Sequence, residues 1–274
     1  MIQNSRSRPV QFTIVFYLLC FVFRAIEYLV IRTDQTVIGE AFIHKLAGIV
    51  LLAAAIWVLQ YKWQDIGFRR EKAVRDTLLG LLLGVSVFTV AYGTEMLIQA
   101  VAGNAPSLQF YVTSYAVQGN RGMQDGLLFI LICIVGNIIN VVMEEGVFRG
   151  LFPRLIEEKF TFAKACLLSS ILFGLWHIAQ PVRNVLDGEQ SAMGALMSGI
   201  LLVVTSALLA FQFCMLLKIT GSIWAGMAAH FVNNTGINLL HISAAAGVDQ
   251  LQTMRIAIAQ TLSFVIVLVF FLHH

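Results

Sequence analysis

Charge is scarce in this sequence. Of 274 residues, Lys and Arg number 18 and Asp and Glu 15, so charged residues make up 12% against 58% hydrophobic. Soluble globular domains hold about 25% charged and about 45–50% apolar residues. A chain this apolar (mean hydropathy +0.82) could not cover a water-facing surface. It also lacks a basic tail or arginine-rich stripe, and its formal net charge is only +3, which argues against nucleic acid as a partner. Cysteine is sparse: Cys20, Cys133, Cys166 and Cys214 lie far apart in apolar runs, with no CxxC or Cys/His metal spacing. They read as small apolar core residues. The sequence has no HExxH, no GxSxG-type serine motif with a partner histidine, and no paired aspartates of the GxGD kind. These absences disfavour the zincin, serine and aspartyl routes to peptide hydrolysis.

What is present is a series of long apolar runs. A membrane-crossing helix needs about 20 mostly apolar residues. Eight segments qualify, at roughly 10–31, 42–61, 77–101, 125–151, 163–180, 193–217, 221–240 and 256–272. The first follows Arg6 and Arg8, but its apolar run is longer than the about 7–15 residues of a signal-peptide core, and no small-residue cleavage site follows. It is expected to be a membrane helix. The fold class is therefore an all-α polytopic membrane protein of about eight helices. With no internal repeat, low-complexity segment or linker, residues 1–274 are expected to form a single membrane domain.

Lys62, Arg69, Arg70, Lys72 and Arg75 fall between the second and third segments, Arg154, Lys159 and Lys164 between the fourth and fifth, and Lys218 between the sixth and seventh. The opposite loops hold one cation each: Arg32, Arg121, Arg183 and Arg255. The positive-inside rule then puts both termini in the cytoplasm. The short chain, without eukaryotic extensions, favours a bacterial plasma membrane. The stretch 63–75 reads equally well as an interfacial helix or as a basic loop.

Polar side chains are costly in hydrocarbon unless they are paired or face a cavity. They cluster in three segments. The fourth ends in Glu144 and Glu145, which project about 100° apart on a helix. Arg149, four residues after Glu145, is spaced for an ion pair with it. Asn137 and Asn140 share the face of Glu144. In the fifth segment His177 follows Phe173 by four, and Gly174 lets a neighbouring backbone approach. In the seventh, His230, Asn234, Asn238 and His241 form one stripe flanked by Asn233. Each cluster alone also fits a structural polar seam or an interfacial helix end. Together, one carboxylate, two imidazoles and a carboxamide are what water-driven acyl hydrolysis requires. A water-filled cavity opening to the cytoplasm or sideways into lipid is expected. The competing reading is a transporter, for which the sequence lacks broken-helix Gly/Pro interruptions and repeat symmetry.

These residues fit three ordered motifs: EExxxR at Glu144–Arg149, FxxxH at Phe173–His177 and HxxxN at His230–Asn234. The set resembles the CPBP family of intramembrane proteases, also called the Abi or CAAX-protease family, which includes the Ras-converting CAAX endoprotease. The resemblance covers about residues 125–240, taken as the catalytic core, with the site formed by the fourth, fifth and seventh helices. It implies an intramembrane endopeptidase. Glu144 would activate water with help from His177, His230 and Asn234 would bind the oxyanion, and Glu145 and Arg149 would give support. It implies a peptide or protein substrate, membrane-anchored or lipidated, within a lipid bilayer. No cofactor is expected; the alternative is a zinc site built from Glu144, His177 and His230. A non-proteolytic immunity scaffold on the same bundle is a further alternative.

Overall fold

A computed structural model describes residues 8–36, 41–113, 123–245 and 247–273. Arg6 and Arg121, which entered the charge pattern, lie outside the described residues. The chain is an all-α polytopic membrane protein. Helix α1 (Pro9–Ile26) starts on a proline at its first position, where no backbone N–H is needed. It runs on into a π turn, Glu27–Ile31. Then follow α2 (Ile43–Leu59), α3 (Ala73–Val101), α4 (Leu127–Ile156), α5 (Phe162–Trp176), α6 (Ala179–Leu186), α7 (Ala192–Thr220), α8 (Trp224–Leu239) and α9 (Gln252–His273).

Among the described residues, six helical stretches are long and apolar enough to cross a membrane: Pro9–Gln35, Arg70–Val101, Leu127–Ile156, Phe162–Leu186, Ala192–Thr220 and Gln252–His273. The two other expected segments form shorter helices. Helix α2 has 17 residues and α8 has 16, so α8 extends about 24 Å at 1.5 Å per residue, short of a hydrocarbon layer of about 30 Å. The polar stripe on α8 is compatible with this because the helix is enclosed by others. It packs between α3 and α4 and touches α7, while α9 packs on α3 and α7. Gly80 permits the approach of α3: a Cβ there would collide with the carbonyl oxygen of Ala225.

Three details depart from the sequence reading. First, α4 passes through a π turn at Gly146–Leu151 immediately after Glu145. Pro153 has no N–H to return to Arg149, so the ladder there cannot be regular. Second, the fifth segment breaks at His177–Ile178. Pro181, four residues on, cannot donate to the carbonyl of His177, which ends α5 and releases α6 at a new angle. Third, strands β1 (Ser107–Phe110), β2 (Leu240–Ala244) and β3 (Gly247–Val248) form a small antiparallel sheet, with Gln109 opposite His241. The loop 63–75 resolves as two 3₁₀ turns, Trp63–Ile66 and Arg70–Lys72, before α3 begins.

The bundle core near the motifs is aromatic. Tyr17, Phe148, Phe152, Phe173 and Trp176 are buried together with Leu52 and Leu59, joining α1, α2, α4 and α5. All four cysteines are buried, and none of them is in a disulfide.

Candidate active site

Glu144 and Glu145 are carried by the last α-helical turn of α4 and face the bundle interior, 3% and 0% exposed. Glu145 Oε2 lies 3.1 Å from Arg149 Nε, as the spacing predicted. The pair is a charge contact without hydrogen-bond alignment. The guanidinium lies flat over Phe173 at 4.0 Å, with Phe213 on a second side at 5.3 Å. Stacking on aromatic faces suits arginine and not lysine.

His230 reaches both carboxylates. Its Nδ1 donates to Glu145 Oε1 at 2.7 Å, since a carboxylate only accepts. Its Nε2 stands 3.7 Å from Glu144 Oε2, beyond direct hydrogen bonding. The sequence reading assigned Glu145 to Arg149 alone; the structure gives it His230 as well. The imidazole stacks on Phe213 and meets the edge of Phe173.

Glu144 accepts hydrogen bonds from two side chains and faces one further cation. Trp176 Nε1 donates to Oε1 at 2.9 Å, and Asn140 Nδ2 to Oε2 at 3.4 Å. Arg24 Nη1 of α1 is 3.9 Å from Oε1. Asn137, on the same face by sequence, instead donates to the carbonyl of Cys133 one turn back. His177 Nδ1 donates to the carbonyl of Phe173 at 2.9 Å, which leaves Nε2 as the acceptor nitrogen of a neutral ring. Phe173 therefore sits between the two histidines, 4.8 Å from the ring of His177 and 6.2 Å from that of His230. Gly174 brings α5 onto α7, where a Cβ would strike the carbonyl oxygen of Val203. Asn234 is half-buried one turn beyond His230, and its Oδ1 accepts from Asn233 Nδ2 at 3.1 Å.

A cavity of about 760 Å³ borders this cluster. Phe173, His177, His230 and Asn234 reach its wall; Glu144 lies behind His230 and does not. The cavity separates α7 from α9 and extends to Asn184, Gln190 and Thr253. It leads away from the basic loops, toward the segment that joins α6 to α7. The basic end is closed by the loop before α3. Trp224 Nε1 donates to the carbonyl of Arg69, Lys72 Nζ to that of Thr220, and Ile223 N to that of Gly67.

Among the described residues, no three His, Cys, Asp or Glu side chains are arranged to hold a metal ion. Of the set named for zinc, Glu144 accepts from Trp176 and Asn140, while His177 and His230 each commit only Nδ1 to an oxygen acceptor, an arrangement that leaves the other ring nitrogen able to coordinate.

The first two helices contribute more than their hydropathy suggested. Arg24 stacks on Trp176 at 4.7 Å and donates to His44 Nε2 at 3.2 Å. His44 Nδ1 in turn donates to Glu27 Oε2 at 2.6 Å. Glu27 also accepts the N–H groups of Phe42, Ile43 and His44 at 2.9, 2.9 and 2.6 Å, which caps the start of α2 with an acid, as a helix N-terminus favours. The signal was in the sequence: Arg24 and Glu27 are charges inside an apolar run.

A family model and a known protein match this chain. Residues 126–236 match the family model described as type II CAAX prenyl endopeptidase Rce1-like. A protein of Bacillus subtilis (strain 168) named "Putative membrane peptidase YdiL" is 26% identical over 167 residues, which cover 60% of this chain and 57% of that protein. The chain thus spans under two thirds of the length of this relative. The match over 126–236 takes in Glu144, Phe173, His177, His230 and Asn234, so the resemblance to the CPBP proteases read from three motifs holds for the segment that builds the site.

Proposed function

We propose that this chain is an intramembrane endopeptidase that hydrolyses a peptide bond with water activated by Glu144, without a metal. The observation that carries the reading is the buried pair Glu144 and His230. The carboxylate is fixed by Trp176 and Asn140, and the imidazole stands 3.7 Å away, between that carboxylate and the cavity.

A water held between Glu144 and His177 would lose its proton to Glu144 as its oxygen attacks the carbonyl carbon. The new oxyanion would accept hydrogen bonds from Asn234 Nδ2 and from His230 Nε2 in its imidazolium form, with Glu145 facing Nδ1. Collapse of the tetrahedral intermediate breaks the C–N bond, and Glu144 returns the proton to the departing amine. A positioned base contributes about 10²–10⁴-fold and an oxyanion donor about 10²–10³-fold. The substrate class is a peptide or protein segment at the membrane, including lipidated ones.

The test uses full-length protein in detergent micelles, incubated with a complex peptide mixture in ¹⁸O-water. New termini carrying ¹⁸O on the carboxyl side are read by mass spectrometry. They should vanish with Glu144→Gln while protein yield and melting temperature stay near wild type. Undiminished turnover by Glu144→Gln would sink the assignment.

A further inference from the structure

The cavity wall next to the proposed catalytic groups is rich in side-chain carboxamides, and none of these outside the three motifs has a role in the hydrolysis above. On α8 and α9 they form a chain. Gln260 Nε2 donates to Asn233 Oδ1 at 3.2 Å, and Asn233 Nδ2 donates to Asn234 Oδ1 at 3.1 Å. Every donor points toward Asn234, whose Nδ2 is the end of the chain. On the opposite wall, Gln180 and Asn184 sit one turn apart on α6 beyond His177. Asn184 Oδ1 is buried and has no hydrogen-bond partner among the described residues.

Two physical facts make this arrangement specific. A carboxamide offers both a donor and an acceptor and bears no charge, so it matches a peptide main chain whatever the sequence. Wherever a bound peptide displaces water, its main-chain N–H and C=O groups need such partners. The spacing agrees as well. Helical side chains four residues apart repeat at about 6 Å, and alternate residues of an extended strand at about 6.6 Å. The pair Gln180 and Asn184 can therefore follow one edge of an extended peptide leading away from His177 toward the far end of the cavity.

The helices are arranged to leave this path open. Gln212 Nε2 donates to Ser263 Oγ at 2.6 Å, tying α7 to α9. On both helices the lining residues all lie to one side of this tie, at Ser198–Leu209 and at Thr253–Gln260.

We infer that the cavity is a main-chain reader: it binds an extended peptide segment entering from the end opposite the basic loops, with Asn184 accepting a substrate N–H and Gln260 orienting Asn233 and Asn234. Recognition is by backbone and conformation, with no need for a free C-terminal carboxylate. This rests on the hydrolytic reading of the same site.

The test uses full-length protein carrying Glu144→Gln in detergent micelles and dye-labelled 14-residue peptides, acetylated and amidated at their ends and rich in Val and Thr. A series carries one N-methyl group at successive positions. Fluorescence anisotropy should show affinity falling about tenfold at alternate positions, and Asn184→Leu should weaken the parent peptide similarly while flattening the series. Affinity indifferent to both changes, or no binding of capped peptides, overturns the inference. Turnover by protein with Glu144 intact separates the two readings. Alternation without hydrolysis of any peptide overturns the hydrolytic reading and supports the binding mode; Glu144-dependent hydrolysis without alternation overturns the binding mode alone.

Discussion

The indole N–H of Trp176 donates to Glu144 Oε1 at 2.9 Å, and Trp176 is the residue before His177. One turn of α5 thus fixes the carboxylate and delivers an imidazole to the cavity. Trp176→Phe keeps the aromatic packing against Tyr17, Phe148 and Arg24 and deletes the donor. Such a loss to a charged acceptor is worth about 1.5–3 kcal/mol. Turnover should fall by roughly ten- to a hundredfold at nearly unchanged melting temperature. Wild-type kinetics in Trp176→Phe would show that Glu144 does not depend on this bond.

Glu27 is completely buried and serves His44 and three backbone N–H groups at once. Removing one partner of a buried charged pair costs about 3–5 kcal/mol. Glu27→Ala should therefore lower the melting temperature in detergent by at least about 6 °C. It should also reduce activity indirectly, since His44 orients Arg24 beside Glu144. A melting curve superimposable on wild type would refute this role.

Asp249 accepts from His241 Nδ1 at 2.6 Å, from Arg255 Nη2 at 2.9 Å and from Ile242 N at 3.1 Å, tying the small sheet to α9. Burial alone would raise its carboxyl, but these hydrogen bonds outweigh it and hold the group below its ordinary value of 3.8. A depressed carboxylate stabilises fully above its unfolded-state value, and the contribution is lost as pH falls through the folded one. Melting temperature should therefore drop as pH is lowered below about 4. Asp249→Asn should flatten that drop, and asparagine tolerates the φ of 53° found there. An identical acid slope in the variant would disprove the assignment.

Hydropathy and charge spacing were enough to read most of the helices, because length and apolarity alone decide which segments can cross a bilayer. The Glu145–Arg149 contact and the shared face of Asn140 and Glu144 were readable because they are set by helix periodicity within one element. The Arg24–Glu144 approach was not, because it depends on how α1 packs against α4. Single-residue spacing says nothing about such distances. The break at His177 and the π turn after Glu145 both trace to prolines, Pro181 and Pro153, whose missing N–H acts four residues upstream. The sheet was hidden because β1 and β2 are short and separated by over a hundred residues.

The contact of Arg149 with Glu145 raises a question of stability against function that a double-variant cycle answers. Glu145 also holds His230, so its two partners draw on one carboxylate. Arg149→Met leaves the buried Glu145 carboxylate without its guanidinium partner and should cost about 3–5 kcal/mol. Glu145→Gln alone leaves the guanidinium with only the rings of Phe173 and Phe213 and should cost a similar amount. Together the changes remove both charges, so the double variant should lose less melting temperature than the two single shifts added, with a coupling of roughly 1–3 kcal/mol. Activity should not recover, because glutamine in place of Glu145 no longer balances an imidazolium at His230. Additive melting shifts would mean that the two side chains do not stabilise each other. A double variant with wild-type turnover would mean that the charge of Glu145 plays no part in the chemistry.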